Sequence, residues 1–324
     1  MTVGKVLVIG LKTLAVCLLL AVCFIAGAAI SGLDKIGQQG PPSEAANAVP
    51  RAEQAGSSLS EATTKPQPEN FMGPFLIFSV CAGVVLSYLI LRSSWHGMRL
   101  VGAIWVGMYG ISTVATQVES VFYLSNKLPH GMIRALFLQG AIVATLFAPL
   151  AVLLLGKWRA ASTVPAAPPL ARMSASSAAW KLVFIVVAFV FLYMFFGYYV
   201  AWQNPAVRQY YGGSETSSFY ASLMATWVSH RSIYYLQVFR ALLYAACLYP
   251  LIRMLRATRW ETALAMCLFL SVWTTLLLLP NPMMPASVAH SHFWETLAFS
   301  LVFGALASWI LTKPARNFSR IEGR

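Results

Sequence analysis

Apolar residues run along this chain in eight long blocks, separated by shorter polar segments. A helix needs roughly 20 apolar residues to cross the hydrocarbon core of a bilayer. Stretches at about 7–31, 72–91, 100–122, 132–155, 181–201, 233–252, 260–280 and 294–312 reach that length. The pattern predicts an all-α fold, a polytopic membrane bundle of about eight transmembrane helices. The first block, "KTLAVCLLLAVCFIAGAAISG", also has the basic start and apolar centre of a signal peptide. Its place in the repeat described below favours a retained helix.

Composition agrees with the pattern. The 324 residues are 58% hydrophobic and only 10% charged, whereas a soluble domain carries about a quarter charged residues. The net charge of +13 raises nucleic acid as a partner, but the position of the charges argues against it. With the N-terminus inside, the inner segments hold Lys5, Arg92, Arg99, Lys157, Arg159, Arg172, Lys181, Arg253, Arg256, Arg259, Lys313, Arg316 and Arg320. The outer segment 123–131 holds Lys127, and the outer segment 203–232 holds Arg208 and Arg231. Short cytoplasmic loops collect Lys and Arg, so both termini are expected in the cytoplasm of an inner- or plasma-membrane protein. Cationic loops face anionic lipid headgroups. The bilayer is the expected partner, with a partner subunit or a second copy open and no nucleic acid. Trp95, Trp158, Trp180, Trp260 and Trp309 fall near inner span ends, and Trp202, Trp227 and Trp294 near outer ones. They read as the two aromatic belts. All five cysteines lie within apolar runs, without a metal or disulfide spacing.

The order of features repeats. Residues 1–156 and 181–320 each read as span, long outer loop, span, basic inner turn, span, shorter outer loop, span. "YLILR" at 88–92 matches "YPLIR" at 249–253, Trp95 matches Trp260, and His130 matches His290, at offsets of 161, 165 and 160. The expectation is two tandem four-helix repeats related by an axis along the membrane normal. A Pro/Ala/Ser linker at 157–180 joins them on the cytoplasmic side. The outer loop at 34–70 is rich in Pro, Ala, Ser, Gln and Glu and lacks the apolar residues for a core, so it is expected to be flexible. The outer loop of the second half differs: at 214–230, Phe219, Leu223 and Trp227 recur every four residues. With Ser214 as N-cap and Glu215 in the first turn, it predicts a helix lying at the outer surface. The final "IEGR" at 321–324 matches a protease recognition sequence and is set aside as an expression scar.

Ionisable residues inside spans are costly and face protein or water. Here most lie toward the outer side. Gln117 and Glu119 end the third span, and Glu119 is the better candidate to face a cavity. His130, Arg134 and Gln139 open the fourth, and Gln237 and Arg240 share one face of the sixth. Arg240 lies about 12 Å along its helix from Ser232, at about 1.5 Å per residue. Unpaired, it would cost at least ~2.5 kcal/mol. Glu119 is the acid at comparable depth, so a Glu119–Arg240 pair between the halves is expected. Gln117, Glu119, Arg134, Gln139, Gln237 and Arg240 are the candidate substrate-binding residues.

Four of the five histidines fall at the outer boundary. His130, His230, His290, His292 and Glu295 are the candidate ligands for a metal ion there, with Met283 and Met284 nearby. No other cofactor is expected. His290 and His292 converge only if the last helix starts after them. The symmetry breaks at Glu295, whose counterpart turn carries Arg134. HExxH, GxSxG and Gly-rich phosphate-loop motifs are all missing. The leading expectation is a transporter- or permease-like protein moving a small solute or lipid through an outward-facing polar cavity between the halves. A membrane-embedded, metal-dependent enzyme at the outer leaflet and an accessory subunit without a ligand are the alternatives. Whether the protein is an enzyme stays open at this point.

Overall fold

The computed structural model describes residues 3–37, 71–125, 127–159, 174–213, 217–281 and 284–313. Eight of its helices are long and apolar enough to cross a membrane. Helix α1 (Val3–Ser31) and the short α2 (Leu33–Gly37) precede α3 (Met72–Leu91). The third span joins α4 (Gly97–Tyr109), a π-helical turn (Gly110–Ala115) and α5 (Thr116–Leu124) without a break, and α6 (Met132–Leu154) follows. Helix α7 (Ala175–Phe196) ends in a second π turn (Gly197–Ala201). Two short helices, α8 (Pro205–Tyr211) and α9 (Phe219–Ser229), then lead into α10 (Ser232–Met254). Helix α11 (Arg259–Thr274) closes with a 3-10 turn (Thr275–Leu278), and α12 (Ala286–Thr312) is last.

Local chemistry sets these boundaries. Asn204 caps α8 through its side chain, Pro205 occupies the first turn, and Gly212 ends the helix at φ 77°. Ser218 caps α9. The N-cap expected at Ser214, with Glu215, lies outside the described residues, and the helix is shorter than expected. Thr258 and Glu261 form a reciprocal capping box at the start of α11. The last helix departs most from expectation. It begins at Ala286 rather than near 294, so His290 and His292 both lie on it and point apart. Most of the expected loop at 34–70, residues 160–173 of the linker and the tail at 321–324 lie outside the described residues.

In lipid, apolar side chains gain nothing by turning inward, so close packing decides which face is buried. Leu18, Ile77, Phe184 and Leu301 stay exposed while Leu20, Phe78, Ile185 and Phe303 are buried. In the first half α1 lies against α3 and α6, and α4 lies against α6. In the second half α7 lies against α10 and α12, and α11 lies against α12. The halves meet along two lines. One is α3 on α11; the other is α10 on α4 and its π turn. All five cysteines are free, four of them buried in this packing.

The connections α3–α4 and α10–α11 meet at one end of the bundle, here called the arginine end. Ser93 and Leu255 form an antiparallel bridge. Ser94 N donates to Met254 O at 2.6 Å and Arg256 N to Arg92 O at 2.9 Å. Glu261 accepts from Tyr88 Oη at 2.6 Å and pairs with Arg92 at 2.6 Å. The opposite end, with α8 and α9, is the tyrosine end.

Candidate functional site

The buried charge of the spans lies toward the tyrosine end, on the line where α10 meets the third span. Arg240 Nη2 meets Glu119 Oε2 at 2.7 Å, the pair expected from the sequence. The guanidinium also donates from Nη1 to Gln237 Oε1 at 2.9 Å and from Nε to Ala115 O at 3.2 Å. Ala115 is the last residue of the π turn. Such a turn breaks the regular i→i−4 ladder, and its carbonyl is turned to the arginine. Arg240 is 7% exposed, so its three nitrogens each need the acceptor they have. The rings of Phe189 and Tyr193 lie 5.9 and 5.8 Å from its Cζ.

A second pair lies beside the first. One turn apart on α12, His292 Nδ1 and Glu295 Oε2 are 2.7 Å apart. Helical spacing at i, i+3 allows that contact. Glu295 lies against the second π turn. A Cβ on Gly197 would stand 3.3 Å from Glu295 Oε1, so the glycine leaves room for the carboxylate. Tyrosines join the pairs. Tyr123 Oη and Tyr193 Oη are 3.2 Å apart, linking α5 to α7. Tyr211 of α8 stands edge-on to His292, centroids 5.6 Å apart, and within 6.2 Å of Tyr123. Burial holds the Tyr211 hydroxyl well above its usual range, and charge on Tyr210, Glu119 and Glu295 pushes it further. Both carboxylates therefore act on one tyrosine.

Helix α8 covers the network and is held from three sides. Asn204 Nδ2 donates to Ser291 Oγ at 2.7 Å, which ties α8 to α12. Arg208 Nη1 donates to Trp202 O at 2.7 Å. Lys127, from the first half, donates to Tyr210 O, and its ammonium lies 4.3 Å from the Tyr210 ring centroid. Burial lowers the Lys127 pKa from its ordinary value. Replacing Lys127 by Gln should leave the spans intact but speed amide exchange in residues 206–211 by roughly tenfold or more, since a hydrogen bond to a charged donor contributes about 1.5–3 kcal/mol. Unchanged exchange in those residues would show that Lys127 does not hold α8.

Of the six candidate binding residues, Glu119, Gln237 and Arg240 come together. Gln117 is buried, with Oε1 lacking a partner among the described residues. Gln139 lies against Gly27 of α1, away from the arginine, and Arg134 is exposed. The five-residue metal set does not assemble. His292 and Glu295 meet, but His130, His230 and His290 are exposed, and among the described residues no group of three or more His, Cys, Asp or Glu is placed to share an ion. The cause is the early start of α12, which turns His290 away from His292. Met283 lies outside the described residues. Tyr123, Tyr193 and both π turns were not singled out by sequence, and Tyr211 reads there only as a residue of the outer aromatic belt. The "NP" at 204–205 and "GG" at 212–213 bracket α8 with a start and a stop signal. Nothing comparable marks a π turn.

The fold defines an integral, multi-pass membrane protein. Compared with protein-family models, with curated proteins and with solved structures, the chain matches none.

Proposed function

We propose that the protein binds a small solute at the Glu119–Arg240–Gln237 and His292–Glu295 network and moves it across the membrane between two four-helix repeats. The observation that carries this is the network itself: an Arg–Glu ion pair and a His–Glu pair, from three different spans, meeting where the halves join. In this reading the tyrosine end faces outward and both termini are cytoplasmic. The repeat is supported by packing, because each pairing of spans in the first half has its counterpart in the second. The two lines between the halves correspond as well, yet their chemistry differs. At the offset relating Tyr88 to Tyr249, Arg240 corresponds to Ser79, whose hydroxyl donates to Phe75 O at 2.8 Å. There Phe78 faces Trp273 at 6.1 Å. Away from the Arg92–Glu261 pair at its arginine end, the first line is aromatic where the other is charged. A purely structural duplication gives no reason to keep buried charge on one side only.

A second reading has its own observation. His292 is oriented by a carboxylate through Nδ1 while its Nε2 is buried without a partner among the described residues. That is the arrangement of a general base held by an orienting acid. It fits an enzyme working at one membrane face. Site accessibility separates the two. With the exposed Cys81 changed to Ser, a Gln237→Cys variant in sealed proteoliposomes should react with an impermeant methanethiosulfonate from either side, because alternating access exposes a midway site to both. Reaction from the tyrosine end alone would sink transport and favour the enzyme.

A further inference from the structure

We infer that this site takes a small ammonium ion that also carries a hydroxyl or carbonyl oxygen, an inference that rests on reading the network as a ligand site. Charge comes first. Two carboxylates, Glu119 and Glu295, act on the same tyrosine, and Arg240 is the arginine among them. Its Nε, Nη1 and Nη2 are each already engaged by Ala115 O, Gln237 Oε1 and Glu119 Oε2. An incoming anion would find the guanidinium already paired with one carboxylate and a second carboxylate in the same network. A cation meets the opposite situation. Glu295 Oε1 has no donor among the described residues, and His292 engages only the other oxygen.

The rings point the same way. Tyr193 lies by the partner of one carboxylate, Arg240, Tyr211 lies by the partner of the other, His292, and Tyr123 touches both tyrosines. An aromatic face attracts an ammonium placed within about 6 Å of its centroid. The protein already does this with a group of its own: the Lys127 ammonium sits 4.3 Å from the Tyr210 centroid and 5.4 Å from that of Tyr211. The remaining feature is Gln237. It is 0% exposed, its oxygen is bonded to Arg240, and its Nε2 has no acceptor among the described residues. A buried amide donor left unpaired is costly, and an oxygen on the ligand satisfies it. Ammonium to Glu295 and the rings, oxygen to Gln237: together these call for a ligand carrying both groups, of which an amino alcohol is the simplest. The same ammonium is offered by a free amino alcohol or, with its oxygen esterified to phosphate, by the ethanolamine headgroup of a lipid.

Three probes of one shape test the class on the full wild-type chain in detergent: ethanolamine, ethylene glycol and glycolate. Ethanolamine should raise the unfolding temperature by about 2–4 °C at roughly ten times its dissociation constant. The glycol and glycolate should not. Glu295→Gln should abolish the shift, while Glu261→Gln, at the arginine end, should keep it. The probe comparison needs no variant, so it holds even if Glu295→Gln fails to fold. In nanodiscs, loss of the ethanolamine shift when phosphatidylethanolamine is included assigns the headgroup as the source, and its persistence assigns a free solute. An equal or larger shift with glycolate or glycol overturns the charge class but leaves solute binding standing. No shift with any probe, or a full shift in Glu295→Gln, overturns the inference. Labelling of Gln237→Cys from one side only would remove transport and leave the ammonium site untouched.

Discussion

Glu119→Gln will cost about 3–5 kcal/mol of stability, more than Arg240→Gln, although the two side chains share one ion pair. The difference follows from burial and from what each orphan can do. Removing Glu119 strands a guanidinium that is only 8% exposed at the side chain. Arginine does not give up its proton in a protein, so the stranded charge has no way to be neutralised. Removing Arg240 strands a carboxylate that is 29% exposed. That group keeps partial contact with solvent and can take up a proton, so the loss should be nearer 1–3 kcal/mol. Arg240→Gln also leaves Ala115 O and Gln237 Oε1 with an amide in reach rather than with nothing. The double variant should then lie close to Arg240→Gln alone, so the coupling should be about as large as the Glu119→Gln loss itself, about 3–5 kcal/mol. The measurement is a double-mutant cycle on unfolding in a mixed detergent. Additive losses, or the reverse order of the two single variants, would mean that the pair does not hold Arg240 in the way its geometry implies.

The spans were legible because a bilayer imposes a length and an apolar composition that few other folds share. The Glu119–Arg240 pair was legible for a related reason. Acids and bases are so scarce in the spans that depth along the helix nearly dictates the partner. The rest of the site was not legible, and the reasons are specific. His292 and Glu295 are three apart, but whether they share a face depends on where α12 begins, and "PNPMMPAS" allows a start on either side of the histidines. The structure starts the helix at Ala286, which joins His292 to Glu295 and sends His290 outward. The tyrosines carry no charge pattern and look like belt residues in sequence. Only the fold of α8 over the bundle places Tyr211 against His292. The π turns are a backbone choice, and one of them supplies the carbonyl that Arg240 needs.

Packing at the opposite, apolar interfaces gives the second large effect. Gly304→Ala should destabilise the protein by about 1–3 kcal/mol although it adds one methyl group to an apolar helix. A Cβ at Gly304 would stand 2.9 Å from both Cys267 Cα and Cys267 N and 3.1 Å from Met266 C. Those atoms are backbone of α11, which cannot rotate aside as a side chain can. Relief would require α12 to move away from α11 by several tenths of an ångström along a tightly packed line. Membrane helices depend on such close approach, since they lack a hydrophobic force between them. Gly102→Ala is the matched control, because a Cβ there meets nothing within 4 Å. It should be neutral or stabilise by up to about 1 kcal/mol, through the better helix propensity of alanine. The opposite signs of the two changes, read as shifts in unfolding midpoint under the same conditions, are the test. If Gly304→Ala proves as benign as Gly102→Ala, α11 and α12 are not held by backbone contact. The rigid wall that seats His292 and Glu295 on α12 would then have to come from α7, which packs on the same helix from the other side.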